Sequence, residues 1–171
     1  MQFIIAQSFG VLAVIMTLAS TQSKSKNGSM IFIALMDAFI IAQYALLGAT
    51  TGVFVNAVGL LRVLAFYWFD KNEKKIPLWV FLSASAAICL TGAITYQKPI
   101  DILPTLGTLI FTYGLWQNSI KVLRVTQLIT ALATLGYNID VSAYADCARA
   151  GLEAVFSVVG YVRYPAIGRH R

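Results

Sequence analysis

The sequence predicts an all-α integral membrane protein of about seven spanning helices, and three observations carry that reading. Of its 171 residues, 58% are hydrophobic and only 12% are charged, with a mean hydropathy of +0.74. A soluble domain carries roughly a quarter charged residues, and half that supply cannot cover a globule in water. Apolar stretches of near-spanning length follow one another with short polar connections. The basic residues, which give a formal net charge of +6, gather in those connections. That is the positive-inside pattern of a membrane protein and excludes a nucleic-acid footprint.

The first stretch runs from near Phe3 to Ser20. No Lys or Arg precedes Lys24, so a cleaved signal peptide with a basic n-region is not expected there. After TQSKSKNGS, a second span runs from near Met30 to Leu47 and ends at the turn GATTG. A third runs from near Gly52 to Phe69 and precedes DKNEKKIP, the most charged stretch. A fourth runs from near Pro77 to Tyr96, followed by QKPID. The fifth, sixth and seventh run from near Leu103 to Asn118, Val122 to Tyr137 and Ala143 to Tyr164. Tyr67, Trp68, Trp79, Tyr96, Trp116 and Tyr164 lie near span ends, where amphipathic rings favour the interface.

With the N-terminus outside, the cytoplasmic side holds Lys24, Lys26, Lys71, Lys74, Lys75, Lys121, Arg124, Arg163, Arg169 and Arg171, and the outer side holds only Lys98. Ten against one predicts a periplasmic N-terminus and a cytoplasmic C-terminus. The chain also repeats itself weakly. Aligning FGVLAVIMTLAS with LGTLIFTYGLWQ sets Gly10 on Gly107, and Tyr44 then meets Tyr137 after a shorter loop. Residues 1–69 and 102–171 thus read as two three-helix bundles, the second with a short tail, and 70–101 as a linker helix with its loops. Three helices plus one linker is an even number, so the bundles are parallel repeats about a pseudo-twofold along the membrane normal.

The stretches AQSFGVLA, QYALLGATTGVFVNAVG and ILPTLGTLIFTYGLW resemble the YgjV family of bacterial inner-membrane proteins over most of the chain. That family is similar to the PQ-loop and SWEET group, whose members carry three helices, a linker helix and three more. The resemblance implies a 3+1+3 fold and transport, with a sorting receptor also in the group. It also implies a hinge proline in the first helix of each repeat. Pro104 takes that place in the second repeat and Gln7 in the first, and the proline-glutamine pair is absent.

Ionisable residues inside spans are costly and mark cavities or partners. Asp37 lies thirteen residues before Thr50 at the hairpin tip and Arg62 twelve after it, so the two sit at similar depth on adjacent helices. They read as a structural ion pair or as a gate. Arg149 and Glu153 are four apart and share a face with Asp146. They read as a self-compensating group or as the wall of a cavity. The resemblance implies paired asparagines on the third and seventh helices contacting substrate across the twofold, the second replaced here by arginine. Asn56 is on the third, and equal spacing from Tyr44 and Tyr137 sets Arg149 opposite it. Arginine there suits a carboxylate or phosphate, so an anion or zwitterion competes with a sugar. Gln127, Thr134 and Asn138 align on the sixth helix, either as interhelical hydrogen bonds or along a polar path.

Other chemistry finds no support. Cys89 and Cys147 lie in apolar stretches, and His170 is the single histidine, so neither a metal site, a cofactor nor an enzyme is expected. The substrate-binding candidates are therefore Asn56, Arg149, Glu153 and Asn138, with Asp37 and Arg62 as gate or ion pair and Pro104 as hinge. The leading expectation is a transporter or facilitator of a small polar or anionic metabolite. The alternative is a membrane receptor or accessory subunit that binds without transport. The partners are the lipid bilayer and that small molecule, and whether the chain forms a homo-oligomer stays open.

Overall fold

The computed structural model describes residues 1–23, 25–117 and 119–163. The expectations placed on Lys24, Asn118, Tyr164, Arg169, His170 and Arg171 lie outside them. Among the described residues there are seven α-helices and one 3-10 turn: α1 Gln2–Gln22, α2 Lys26–Leu47, α3 Thr50–Lys71, α4 Leu78–Thr95, the 3-10 turn Pro99–Asp101, α5 Ile102–Trp116, α6 Ile120–Asp140 and α7 Tyr144–Arg163.

Local chemistry sets the ends. α2 starts four residues before the apolar run because the Ser25 hydroxyl accepts from the Gly28 N–H at 3.1 Å, capping an otherwise orphaned donor. It stops where Gly48 adopts a left-handed φ of 72° and the Ala49 N–H returns to the Tyr44 carbonyl at 2.9 Å. The turn from α6 to α7 is built the same way. Ser142 has φ 58°, and the Ala143 N–H returns to the Asn138 carbonyl at 2.8 Å. Tyr44, Gly48 and Ala49 therefore correspond to Asn138, Ser142 and Ala143. This corrects the repeat register by one residue. Tyr44 pairs with Asn138 rather than Tyr137, so the counterpart of Asn56 is Ala150 rather than Arg149. One residue turns a helix face by about 100°, and the symmetry argument for pairing Asn56 with Arg149 falls with it.

The helices close into a ring in which α1, α2, α3, α5, α6 and α7 each pack on the next and α7 returns to α1. α4 packs on α3 and α5 and buries only Val80, Ile88 and Gly92, which puts it on the periphery. The distribution of polarity is inverted relative to a soluble protein. Gln43, Thr112, Asn138 and Asp146 are fully buried, while Ile94, Trp79 and Leu61 are 74%, 69% and 67% exposed. Such a surface is at home against lipid chains, and such an interior needs internal hydrogen bonds.

Four helices, α1 to α4, are long and apolar enough to span a membrane by length and composition. The other three fall short of the seven expected for separate reasons. α5 has 15 residues, about 22 Å of helix against a ~30 Å hydrocarbon core, and the 3-10 turn before it adds about 6 Å. α6 and α7 have 21 and 20 residues but carry Arg124, Asp146, Arg149 and Glu153, all buried in the ring.

Candidate functional site

Five helices of the ring line a partly open cavity of about 50 Å³. α2 contributes Met36, Asp37, Ile40 and Tyr44, and α3 contributes Asn56, Gly59 and Arg62. From α5 come Pro104, Thr108 and Phe111; from α6, Gln127, Thr130, Ala131 and Thr134; from α7, Arg149 and Glu153. Spacings of three and four residues along each helix explain the convergence, because they repeat one face.

Arg149 is held from its own helix. Its Nε donates to Asp146 Oδ1 at 2.7 Å and its Nη1 to Glu153 Oε2 at 2.6 Å. Nη1 also reaches Met36 Sδ on α2 at 3.9 Å. The residue is 7% exposed and does not snorkel outward. Self-compensation and cavity lining, offered as alternatives by the sequence, thus coexist in one group.

Asp37 and Arg62 do not form the expected ion pair: no carboxylate–guanidinium contact within 4.0 Å joins them. Arg62 is drawn instead toward α5. Its Nη1 donates to the Thr108 carbonyl at 3.1 Å and to Thr112 Oγ1 at 2.7 Å, and its guanidinium carbon lies 5.2 Å from the centre of the Phe111 ring. Its Nε has no acceptor, and Asp37 Oδ2 has no donor, among the described residues. Both groups nevertheless face Gly59. A Cβ on that glycine would lie 3.7 Å from Arg62 Nη2 and 3.9 Å from Asp37 Oδ2. Equal depth was read correctly from the hairpin, but depth alone does not set which way two long side chains turn.

Asn56 lines the cavity while its Nδ2 donates to the Gly52 carbonyl one turn back, at 2.7 Å. Asn138, expected as a substrate contact, does not line it. Asn138 is fully buried and its Oδ1 accepts from Tyr44 OH at 2.6 Å. The Tyr44 and Tyr137 rings meet edge to face at 5.8 Å, and Tyr137 OH accepts from the Gly52 N–H at 2.9 Å. Asn138 therefore belongs to a packed polar knot at one end of the cavity. Pro104 lines the cavity too, but it stands in the first turn of α5, where the missing N–H breaks no helix bond.

Sequence reading missed Thr108, Thr130 and Met36, which look unremarkable in apolar runs. It also missed that Gln7 ties α1 to the α6–α7 turn, donating to the Ser142 carbonyl and accepting from the Ala145 N–H, both at 2.9 Å. A glutamine within the first apolar span was the available signal.

Neither the curated proteins nor the solved structures contain a significant match to this chain. A family's sequence model does match, over residues 4–165, and its description is bacterial inner membrane protein. With an apolar exterior, a polar interior and that match across nearly the whole sequence, the chain belongs to the Imp-YgjV family of bacterial inner membrane proteins.

Proposed function

We propose that this protein is a transporter or facilitator that moves a small polar or anionic metabolite across the bacterial inner membrane by alternating access. The observation that carries the reading is a charged, hydrogen-bonding cavity lined by five helices of a protein whose outer face is apolar. Polar groups at such a place are expensive and are characteristic of solute paths. In this reading all seven helices cross the bilayer, with the N-terminus periplasmic and the C-terminus cytoplasmic. Residues 1–69 and 102–171 rock against each other, and α4 with its loops links them, as in the SWEET and PQ-loop arrangement.

The packing supports two related halves. Exchanging α1, α2 and α3 with α5, α6 and α7 turns the α1–α7 contact into the α5–α3 contact, and both exist. Tyr44 and Asn138, equivalent by their turns, bond to each other, as residues beside a twofold axis do. The two α2–α3 and α6–α7 hairpins end in the same hydrogen-bonded turn.

The test is flux. Purified protein in proteoliposomes should exchange a radiolabelled small metabolite across the membrane, with the rate falling when Arg62 or Arg149 is neutralised in a variant that still folds. Stabilisation by a ligand with no flux would instead establish the alternative, a non-transporting receptor or accessory subunit. The small size of the cavity is the observation that favours that alternative. A reporter fused after Arg171 tests the orientation, and activity in the periplasm would overturn it.

A further inference from the structure

Arg149 is the arginine that the sequence marks for substrate, yet its formal charge is already met by two carboxylates on its own helix. In that group only Asp146 Oδ2, which does not line the cavity, lacks a donor among the described residues, and the unmet groups on the cavity wall are elsewhere. Asp37 and Arg62 are each 4% exposed, carry opposite formal charges, and stay more than 4.0 Å apart. Asp37 Oδ2 is an acceptor without a donor, and Arg62 Nε is a donor without an acceptor, among the described residues. The two bonds from Arg62 Nη1 to α5 hold the guanidinium in place, so it cannot close the gap by swinging to Asp37 without losing both. Gly59, having no side chain, leaves the space between them open.

Buried opposite charges kept apart are costly unless something bridges them. We propose that the gap between Asp37 and Arg62, floored by Gly59, is a subsite for a small zwitterion whose ammonium faces Asp37 and whose carboxylate faces Arg62. This rests on the transport reading for its biological sense but not for its chemistry.

Charge and size select the class. Arg62 and Arg149 face Asp37, Glu153 and, behind Arg149, Asp146, so the five groups sum to one formal negative charge. A lone anion would satisfy Arg62 but meet that surplus. A lone cation would satisfy Asp37 but be pressed against Arg62. A zwitterion serves both ends and adds no net charge. One water needs about 10–15 Å³ of such space, so a cavity of about 50 Å³ takes roughly three to five water-sized groups. Glycine has that size, and a hexose is more than twice as large.

The experiment uses the full chain in nanodiscs and in proteoliposomes, with glycine, acetate, methylammonium, leucine and inorganic phosphate as probes. Glycine should raise the melting temperature and exchange across the membrane, and the other four should do neither at the same concentration. Asp37→Asn and Arg62→Gln should each weaken glycine about tenfold or more, the scale of one charge-assisted bond. Gly59→Ala, whose Cβ would sit in ordinary contact with its neighbours at 3.7–3.9 Å, should fold and lose the glycine response. It keeps the test decisive if either charge variant fails to fold. Binding of acetate or phosphate, unaffected by Asp37→Asn, would overturn the zwitterion subsite while leaving anion transport standing. Leucine acting as well as glycine would overturn the size argument and with it the subsite. A glycine-dependent rise in melting temperature without exchange would uphold the subsite and sink transport. Absence of any glycine response, or one that survives in Gly59→Ala, would overturn the proposal.

Discussion

Two glycine-to-alanine changes should have opposite effects on stability, and the difference follows from what each new methyl would touch. In a helix interior alanine is favoured over glycine by about 0.8–1 kcal/mol. At Gly59 the added Cβ would meet Arg62 Nη2, Thr108 Cγ2 and Asp37 Oδ2 at 3.7, 3.7 and 3.9 Å, all ordinary contacts. The propensity gain should therefore survive, giving a protein unchanged or up to about 1 kcal/mol more stable. At Gly114 the new carbon would lie 2.8 Å from Thr126 Cβ and 3.1 Å from its Cγ2, and would overlap its Oγ1. The hydroxyl is held by the Val122 and Leu123 carbonyls at 3.0 and 2.9 Å, and a Cβ cannot rotate away from its backbone. α5 and α6 must then separate, an overpacking cost of about 1–3 kcal/mol. After the propensity gain, Gly114→Ala should be destabilised by up to about 2 kcal/mol. Thermal unfolding of both variants beside the parent in one nanodisc preparation measures the order. Equal melting temperatures, or Gly114→Ala above Gly59→Ala, would refute the close approach of α5 to α6.

Three further outcomes are expected. Tyr44→Phe leaves Asn138 Oδ1 buried without its donor and should cost about 1–3 kcal/mol, whereas adding Asn138→Leu should recover part of that loss in a double-mutant cycle. Arg149→Met leaves Asp146 and Glu153 facing each other without the cation between them and should destabilise by about 3–5 kcal/mol; the triple variant with Asp146→Asn and Glu153→Gln should restore most of it, and failure to do so would mean that Arg149 is held by other contacts. Gln7→Ala removes both bonds from α1 to the α6–α7 turn, so hydrogen exchange at the Ala145 amide should quicken while mid-helix amides of α2 stay protected.

Composition and the loops made the helices legible, because each apolar run is bounded by residues whose chemistry ends a helix. The α2 boundary came out four residues late since hydropathy sees the apolar run, whereas the helix starts at its cap, Ser25. The candidate site was legible by residue type. Asp37, Asn56, Arg62, Arg149 and Glu153 all line one cavity, and in spans so poor in polar groups a buried charge has few other places to be. Pairing was not legible. Asp37 and Arg62 share a depth, but their partners depend on rotamers and on Thr108 and Thr112, hydroxyl residues common in any span. Asn138 failed for a related reason. Its spacing from Gln127 is three turns to within about 20°, but those eleven residues also carry it about 16 Å along the helix, to the Tyr44 hydroxyl at one end of the cavity. The repeat register slipped because two tyrosines, Tyr44 and Tyr137, are chemically alike. The equivalence is conformational, shared by Gly48 and Ser142, whose side chains have nothing in common.

That conformational equivalence bears on how the site was divided between the halves. With Ala150 as the counterpart of Asn56, the two halves do not present matching polar groups to the cavity. α3 offers Asn56 and Arg62, and α7 offers Arg149 already tied to Asp146 and Glu153. A symmetric pair would suit a symmetric or neutral ligand. The asymmetry present here separates roles: on α7 the Arg149 charge is met by Asp146 and Glu153 of the same helix, with Asp146 Oδ2 alone left without a donor among the described residues, while on α2 and α3 Asp37 and Arg62 are opposite charges that do not meet. A closed group can stay buried through a conformational cycle at little cost, because its charges travel together on one helix. An open pair on two helices changes its energy whenever those helices move or the gap is filled. In the proposed transporter, coupling between occupancy and helix movement would therefore fall to Asp37 and Arg62, and Arg149 would serve the stability of α7 in the ring.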